Sequence, residues 1–326
     1  MTEKKGFLAR KNIVFSLERY FIDALGAMAL GLFASLIVGL ILRTTGEQLV
    51  KLFGEGAALT FLMDSGQTAM SMMGPAIGIA VAYGLKAPPL VLFASAITGA
   101  AGATLGGPAG SFVAAVIGAE FGKAVSKETK VDIIVTPAIT ILAGLLAATI
   151  VGPWVSSFMK AFGDLIMRVT EIHPIPMGII VAVLMGLALT APISSAALAI
   201  MMQLSGLAAG AATVGCSAQM IGFAVASYRE NGWGGLISQG VGTSMLQVPN
   251  IVRNPWILVP PTLAAAVLGP LATTIFKMEN IPAGAGMGTS GFVGQFGTAT
   301  AMGFTLPVLF SIILLHYLLP GVLALL

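Results

Sequence analysis

Residues 174–228 read PIPMGIIVAVLMGLALTAPISSAALAIMMQLSGLAAGAATVGCSAQMIGFAVASY, 55 residues without one Asp, Glu, Lys, Arg or His. A second uncharged run extends from Asn280 to Leu315. An ordinary soluble domain carries about a quarter charged residues. Here 9% of 326 residues are charged, 57% are hydrophobic, and the mean hydropathy is +0.97. A spanning helix needs about 20 mostly apolar residues, and the apolar runs supply roughly eight to ten such elements. The expected fold is an all-α polytopic membrane protein.

Charge sets the orientation. The formal charge of +3 would elsewhere suggest a nucleic-acid partner, but Lys4, Lys5, Arg10, Lys11 and Arg19 all precede the first apolar run. Under the positive-inside rule they read as a cytoplasmic N-terminus, and nucleic acid is not an expected partner. The first long apolar stretch begins near Phe21 without a persuasive cleavage site, so it is expected to stay as a membrane helix. The expected location is the bacterial cytoplasmic (inner) membrane. Cys216 is the one cysteine, which leaves no intrachain disulfide and no cysteine metal cluster. No cofactor or metal is expected.

The expected organisation is a cytoplasmic segment over residues 1–21, a first membrane half over 22–153, an amphipathic connector over 154–173 and a second membrane half over 174–326. Within the opening span, Gly31, Ser35 and Gly39 fall four residues apart, a small-residue face for close helix approach. Runs 73–85, 106–118, 189–203 and 283–303 are too short or too rich in Gly and Pro for simple spans. They predict broken helices and re-entrant Gly-rich hairpins, which survive at membrane depth only where protein or a water-filled cavity meets the freed backbone. Pro75, Pro137 and Pro153 recur as Pro192, Pro255 and Pro270 at offsets of 117, 118 and 117 residues. These offsets predict two structural repeats, and interruptions at matching places in two halves point to a transporter's binding site.

Several polar residues stand out against this background. Asp64 and Gln67 lie among apolar neighbours. They read either as solute or proton ligands, because acids at membrane depth are functional by default, or as the polar face of an amphipathic entry segment. Pro192 frees a carbonyl that Ser194 and Ser195 either re-satisfy or leave for a ligand. Residues 280–298 hold Gly286, Gly288 and Gly291 in the spacing Gly-x-Gly-x-x-Gly. Nothing around them predicts a dinucleotide fold. A re-entrant hairpin offering Thr289, Ser290 and Gln295 to a hydroxylated or anionic solute is the better account, and tight glycine packing is the alternative. Gln219, Gln239, Gln247 and Asn250 add neutral donors and acceptors, which suit a polyol. Glu171 and His173 read as a solvated pair or as an acid and base near a cavity mouth. His316 reads as a packed or interfacial histidine.

Three stretches carry a family resemblance: MGPAIGIAVAYGLKAPP at 73–89, TAPISSAA at 190–197 and GMGTSGFVG at 286–294. They resemble a stand-alone branch of the membrane subunit IIC of the bacterial sugar phosphotransferase system, from about residue 15 onward. The resemblance implies a homodimeric permease of about ten transmembrane elements. In such systems the subunit holds a sugar while a separate IIB protein phosphorylates it, so the chain alone is not expected to be an enzyme. It departs from the pattern in having no soluble IIB domain and no Gly-Ile-Thr-Glu-Pro motif. Ala191-Pro192-Ile193-Ser194 is the nearest counterpart, with hydroxyls in place of the acid.

The expected function is therefore a permease that moves a small polar solute, a sugar first, by alternating access in a lipid bilayer. Asp64, Gln67, Ser194, Ser195, Thr289, Ser290 and Gln295 are its expected contacts, and Gln219, Gln247, Asn250, Glu171 and His173 are secondary. An ion-coupled carrier of another metabolite or anion, and a membrane sensor or regulator, are the alternatives.

Overall fold

The computed structural model describes residues 6–170, 173–191 and 195–325. Among them every regular element is helical, and one isolated antiparallel bridge pairs Gly206 with Asn280. Six helices are long and apolar enough to cross a membrane: Arg19–Lys51, Pro89–Val125, Asp132–Val155, Gly206–Ala226, Pro255–Thr274 and Leu306–Leu325. The exposed face of Asp132–Val155 is apolar and its buried face holds hydroxyls. Along Asp132–Val155, Ile134, Leu142, Leu146 and Ile150 are exposed at helical spacing, while Thr136 and Thr140 are buried. The buried hydroxyls turn back onto their own helix, as when Thr140 Oγ1 donates to the Thr136 carbonyl at 2.8 Å. This inverts the pattern of a water-soluble core, as a lipid solvent requires.

The chain forms two compact units, Met1–Leu36 with Thr68–Ser157, and Ile37–Gln67 with Phe158–Leu326. In the first unit, Pro89–Val125 is a helical hairpin. Gly107 takes φ 59, ψ −149, a conformation open to glycine, and Pro108 begins the second limb. The limbs are in backbone contact, so that a Cβ on Gly102 would meet the Gly110 carbonyl. Each limb has enough residues to extend about 26 Å. At the open end Lys123 Nζ donates to the Leu85 carbonyl (3.2 Å) and pairs with Glu120 (2.9 Å), while Arg19 Nη2 donates to the same carbonyl. Two cations there complement the C-terminal end of helix Met73–Gly84. Tyr20 donates to Glu120, and Lys11 pairs with Glu128 in the loop beyond. The basic N-terminal segment thus meets Lys86, Lys123 and the loop after Val125 at one end of this unit.

The small-residue face expected around the first span is used for packing. A Cβ on Gly31 would lie 2.7 Å from the Ala76 carbonyl oxygen, and in the second unit a Cβ on Gly66 would lie 2.5 Å from that of Gly39. The stretch expected as a connector is helical through residue 170, continuing Asp132–Thr170. Two turns match at the repeat spacing. Lys86 (φ 55) and Gln203 (φ 52) both occupy the left-handed region. Ala87 N–H donates to Ala82 O at 2.9 Å and Leu204 N–H to Ala199 O at 3.0 Å, and new helices start at Pro89 and Gly206.

The second unit is built around Gly206–Ala226, buried along nearly all its length. Its Gly, Ala, Ser and Thr side chains admit neighbours at backbone contact. Pro174–Thr190 runs alongside in the same direction, with Gly186 against Gly215 and Thr190 beside Gln219. Pro255–Thr274 runs opposite to Pro174–Thr190, with Gly269 against Gly178 and Thr273 Oγ1 donating to the Pro174 carbonyl at 2.9 Å. Asn280 fastens the Gly206 end. Its amide donates to Thr213 Oγ1 (2.6 Å), the Gly294 carbonyl (2.9 Å) and Thr298 Oγ1 (3.1 Å), and Oδ1 accepts from Ile281 N–H (2.7 Å).

Asn280→Leu strips three buried acceptors and one donor of their partner. The expected loss is on the order of 3 kcal/mol or more, read as a fall in thermal unfolding temperature in detergent. An unchanged temperature would show that this amide is not the fastening.

Candidate functional site

Three interrupted segments of the second unit converge on one stretch of the buried helix, Cys216–Met220. The first is the end of Pro174–Thr190. That helix ends at Thr190 with Ala191 extended; Ser195 Oγ donates to the Gly286 carbonyl at 2.7 Å, and the helix Ser195–Met201 leads back toward Gly206.

The second is the glycine-rich segment, which folds as a hairpin with limbs Pro282–Ala285 and Val293–Met302. Gly284 and Gly297 both pack on the Asn280 side chain, and Gly294 packs on Gly288. Gly288, Gly291 and Phe292 take φ of 52, 53 and 60; the two glycines make this turn possible, and Phe292 is held in the left-handed region against its own preference. Gly288 lies against Cys216 and Ser217. Thr289 Oγ1 donates to the Gly240 carbonyl and also contacts Met220 Sδ at 3.4 Å.

The third segment comes from the other end of the helix. Beyond Ala226 a short helix, Tyr228–Ile237, is kinked at Gly232, and residues 238–247 follow as a wide π-type turn, Ser238–Gly242, and a 3-10 turn, Ser244–Gln247, on either side of extended Thr243. They run inward from Ser227 to Ser244, whose hydroxyl lies 2.9 Å from that of Thr190. The helix Val248–Arg253 then leads out to exposed Asn250. One interruption therefore enters from the Ala226 end and two from the Gly206 end, and Thr289 to Gly240 is where the opposed segments meet.

The lining is polar and uncharged. Gln219 Nε2 donates to Thr262 Oγ1 (2.9 Å), and Thr190 Oγ1 lies 3.4 Å from Gln219 Oε1. A second chain of amides runs outward: Asn250 donates to Gln247 (2.8 Å), Gln247 to Gln239 (2.7 Å), and Gln239 to Ser227 (2.9 Å). The parts of the three segments that meet here lie in stretches free of Asp, Glu, Lys and Arg: 174–228, 231–252 and 280–315. Among the described residues of this unit, four buried polar atoms have no hydrogen-bond partner within the protein: Ser217 Oγ, Ser290 Oγ, Gln295 Oε1 and His316 Nε2. Such atoms are few in native interiors, and ligand or water contacts are a common reason for them.

Of the residues expected from sequence, Ser195, Thr289, Ser290, Gln219 and Gln247 come together here, with Asn250 at the outer end. Gln295 lies on the returning limb of the hairpin, paired with His316 at 3.0 Å. Ser194 and Glu171 lie outside the described residues. His173 is exposed just before Pro174. Asp64 and Gln67 are exposed on Ala57–Ser71, and Gln67 accepts a hydrogen bond from Arg43, which also pairs with Glu47 at 2.8 Å.

Ser244 and Thr262 were not singled out by sequence. Ser244 follows Gly240 and Gly242 in an uncharged stretch before Pro249, a signal of the same kind as the one around Ser290. Thr262, one hydroxyl in an apolar helix, gives no such signal. Among the described residues no three His, Cys, Asp or Glu side chains come together as a metal site would need.

Against known families, residues 22–326 match the model described as phosphotransferase system, EIIC. No curated protein and no solved structure matches the chain.

Cys216 is fully buried beneath the hairpin turn, so its thiol is expected to react slowly with maleimide. Thr289→Val cuts the bond to Gly240 at nearly constant shape, costing roughly 1 kcal/mol, and is expected to speed labelling several-fold. Equal labelling rates in the folded variant and the parent would show that Thr289 does not hold the turn in place.

Proposed function

The chain belongs to the phosphotransferase-system EIIC family, and from that premise we propose that it is a permease for a small, neutral, hydroxylated solute, a sugar first. The observation that carries this reading is the meeting of opposed interrupted segments at Thr289 and Gly240, beside uncharged Gln219, Thr190 and Ser244. A neutral polyol needs paired donors and acceptors more than a counter-charge. Irregular backbone at depth fits a solute pathway, since lipid does not tolerate it.

On this reading the Pro282–Met302 segment is a re-entrant hairpin, the turns at 238–247 a second re-entrant element, and Pro89–Val125 a pair of membrane limbs. Counting these with the long helices and the shorter Met73–Gly84 and Pro174–Thr190 gives about ten membrane elements. The matching turns at Lys86 and Gln203 support two repeats, first and second halves of the membrane domain, and alternating access of one against the other is the proposed movement. The cluster of Lys11, Arg19, Lys86 and Lys123 supports a cytoplasmic N-terminus in the bacterial inner membrane. A homodimer and a separate IIB protein that phosphorylates the solute complete the proposal. Asp64 and Gln67, exposed on their helix, fit an amphipathic entry segment; Ser195, Thr289, Ser290, Gln219 and Gln247 are the preferred solute contacts.

The test is uptake of labelled sugars and polyols into proteoliposomes. Ser290→Leu, which fills the turn of the hairpin, is expected to abolish uptake while leaving the unfolding temperature in detergent within a few degrees of the parent. Undiminished uptake would remove the hairpin from the solute path.

A further inference from the structure

His316 lies in the last apolar helix, where Ile313–Leu318 forms a wide π-type turn. Insertions of this kind inside an α-helix persist mostly where a side chain has to be aimed. The ring is fully buried, and its neighbours Val308, Ile312 and Leu315 pack with Val214, Leu268 and Met278 in an apolar core. Its Nδ1 is 3.0 Å from the amide nitrogen of Gln295, itself 9% exposed, on the returning limb of the glycine-rich hairpin. Neither Nε2 of His316 nor Oε1 of Gln295 has a partner.

The proton arithmetic of this pair is informative. If the Gln295 amide donates to Nδ1, the neutral ring carries its proton on Nε2, leaving a free donor on the histidine and a free acceptor on the glutamine. If the amide is turned over, Nδ1–H donates to Oε1, which leaves Nε2 as the free acceptor and the amide N–H as the free donor. Either assignment leaves one donor and one acceptor in apolar surroundings, where unpaired polar groups cost about 1–3 kcal/mol each. The two atoms together call for a group that both donates and accepts, which a solute hydroxyl does in place of a water molecule. An anion or a cation satisfies one at most. Rigid structural pairing would not need the second nitrogen, and a Leu and Phe of similar shape would fill this core without penalty.

The geometry points to the Gln295–His316 pair as a recognition site for a hydroxyl, or for two adjacent hydroxyls, of a neutral solute. It lies on the returning limb of the same hairpin, just past the turn that carries Thr289 and Ser290. The inference rests on the permease reading for what the hydroxyl belongs to: it extends the solute's contacts from the turn along the returning limb to the last helix. His316 thereby becomes a specificity-determining residue.

The chain has two histidines, so the nitrogen NMR spectrum of protein carrying isotope-labelled histidine, reconstituted in nanodiscs, contains one buried and one exposed ring. D-glucose, D-mannitol, N-acetyl-D-glucosamine and xylitol are added in turn. The expected result is that at least one of them shifts the His316 nitrogens and leaves His173 unmoved. The double variant Gln295→Leu with His316→Phe is expected to unfold at the same or a higher temperature, since it removes both orphaned atoms together. It should bind the responding solute roughly tenfold or more weakly. A lower unfolding temperature with unchanged binding would make the pair a structural bond and overturn the proposal. So would the absence of any His316 response across the four solutes in folded protein. If uptake of a solute is seen without a His316 response, this inference fails and the permease reading stands. If His316 responds and no uptake is seen, the site stands and the permease reading fails.

Discussion

In a bilayer every backbone N–H and C=O away from the water must find its partner inside the protein. The second unit departs from continuous helix in three places at the level of Cys216–Met220, and each departure exposes backbone groups that would be very costly in lipid. They are tolerated because Gly206–Ala226 is built from small residues, letting other backbones reach it at contact distance. Ser195 then caps the Gly286 carbonyl, Thr289 caps that of Gly240, and the Asn280 side chain serves both limbs of the glycine-rich hairpin. The glycines of 284–297 and the small residues of 206–226 are complementary halves of one packing solution.

That solution shapes the chemistry available. Side chains that seal broken backbone are hydroxyls and amides, because ions would add a desolvation penalty without a counter-charge nearby. The resulting interior is polar, neutral and rich in paired donors and acceptors, from Thr190 and Gln219 to the amide chain ending at Asn250. The charged network of the first unit, with Lys123 buried against Glu120 and the Leu85 carbonyl, serves another purpose. It ties the basic N-terminal segment to the end of a helix and to the loop beyond Val125.

Much of this was legible in the sequence, and the parts that were not have identifiable causes. The uncharged runs announced a membrane protein of helices because charge is the property lipid excludes most strongly. Gly-Pro interruptions marked the places where helices break, including the turn at Thr289 and Ser290. The turns at Lys86 and Gln203 share the 117-residue offset of Pro75 and Pro192, although no proline marks either turn residue. The fold-back of Pro89–Val125 was signalled only as a short, glycine-rich run at 106–118, since the conformation of Gly107 is decided by the packing of its limbs. Ser244 and Thr262 were missed because single hydroxyls in apolar sequence are common and usually bond their own helix. His316 read as a packed histidine because its partner, Gln295, is 21 residues away, a pairing that chain reversal creates and local pattern cannot show. Arg43 reaches Gln67 across the packing of Val38–Phe53 on Ala57–Ser71, a contact between residues 24 apart that no local pattern announces.

We propose that interrupted segments enter the second unit from opposite faces of the membrane and meet at its middle. Helix Gly206–Ala226 has 21 residues and so spans about 31 Å, with Asn250 at one end and Glu279 at the other. The most direct test places a single cysteine at either position in a Cys216→Ala background and labels inside-out and right-side-out vesicles with a membrane-impermeant maleimide. Asn250→Cys is expected to be labelled from one side and Glu279→Cys from the other. Labelling of both from the same side would contradict it, because the two segments would then share an entrance and could not meet as opposed halves of a solute path.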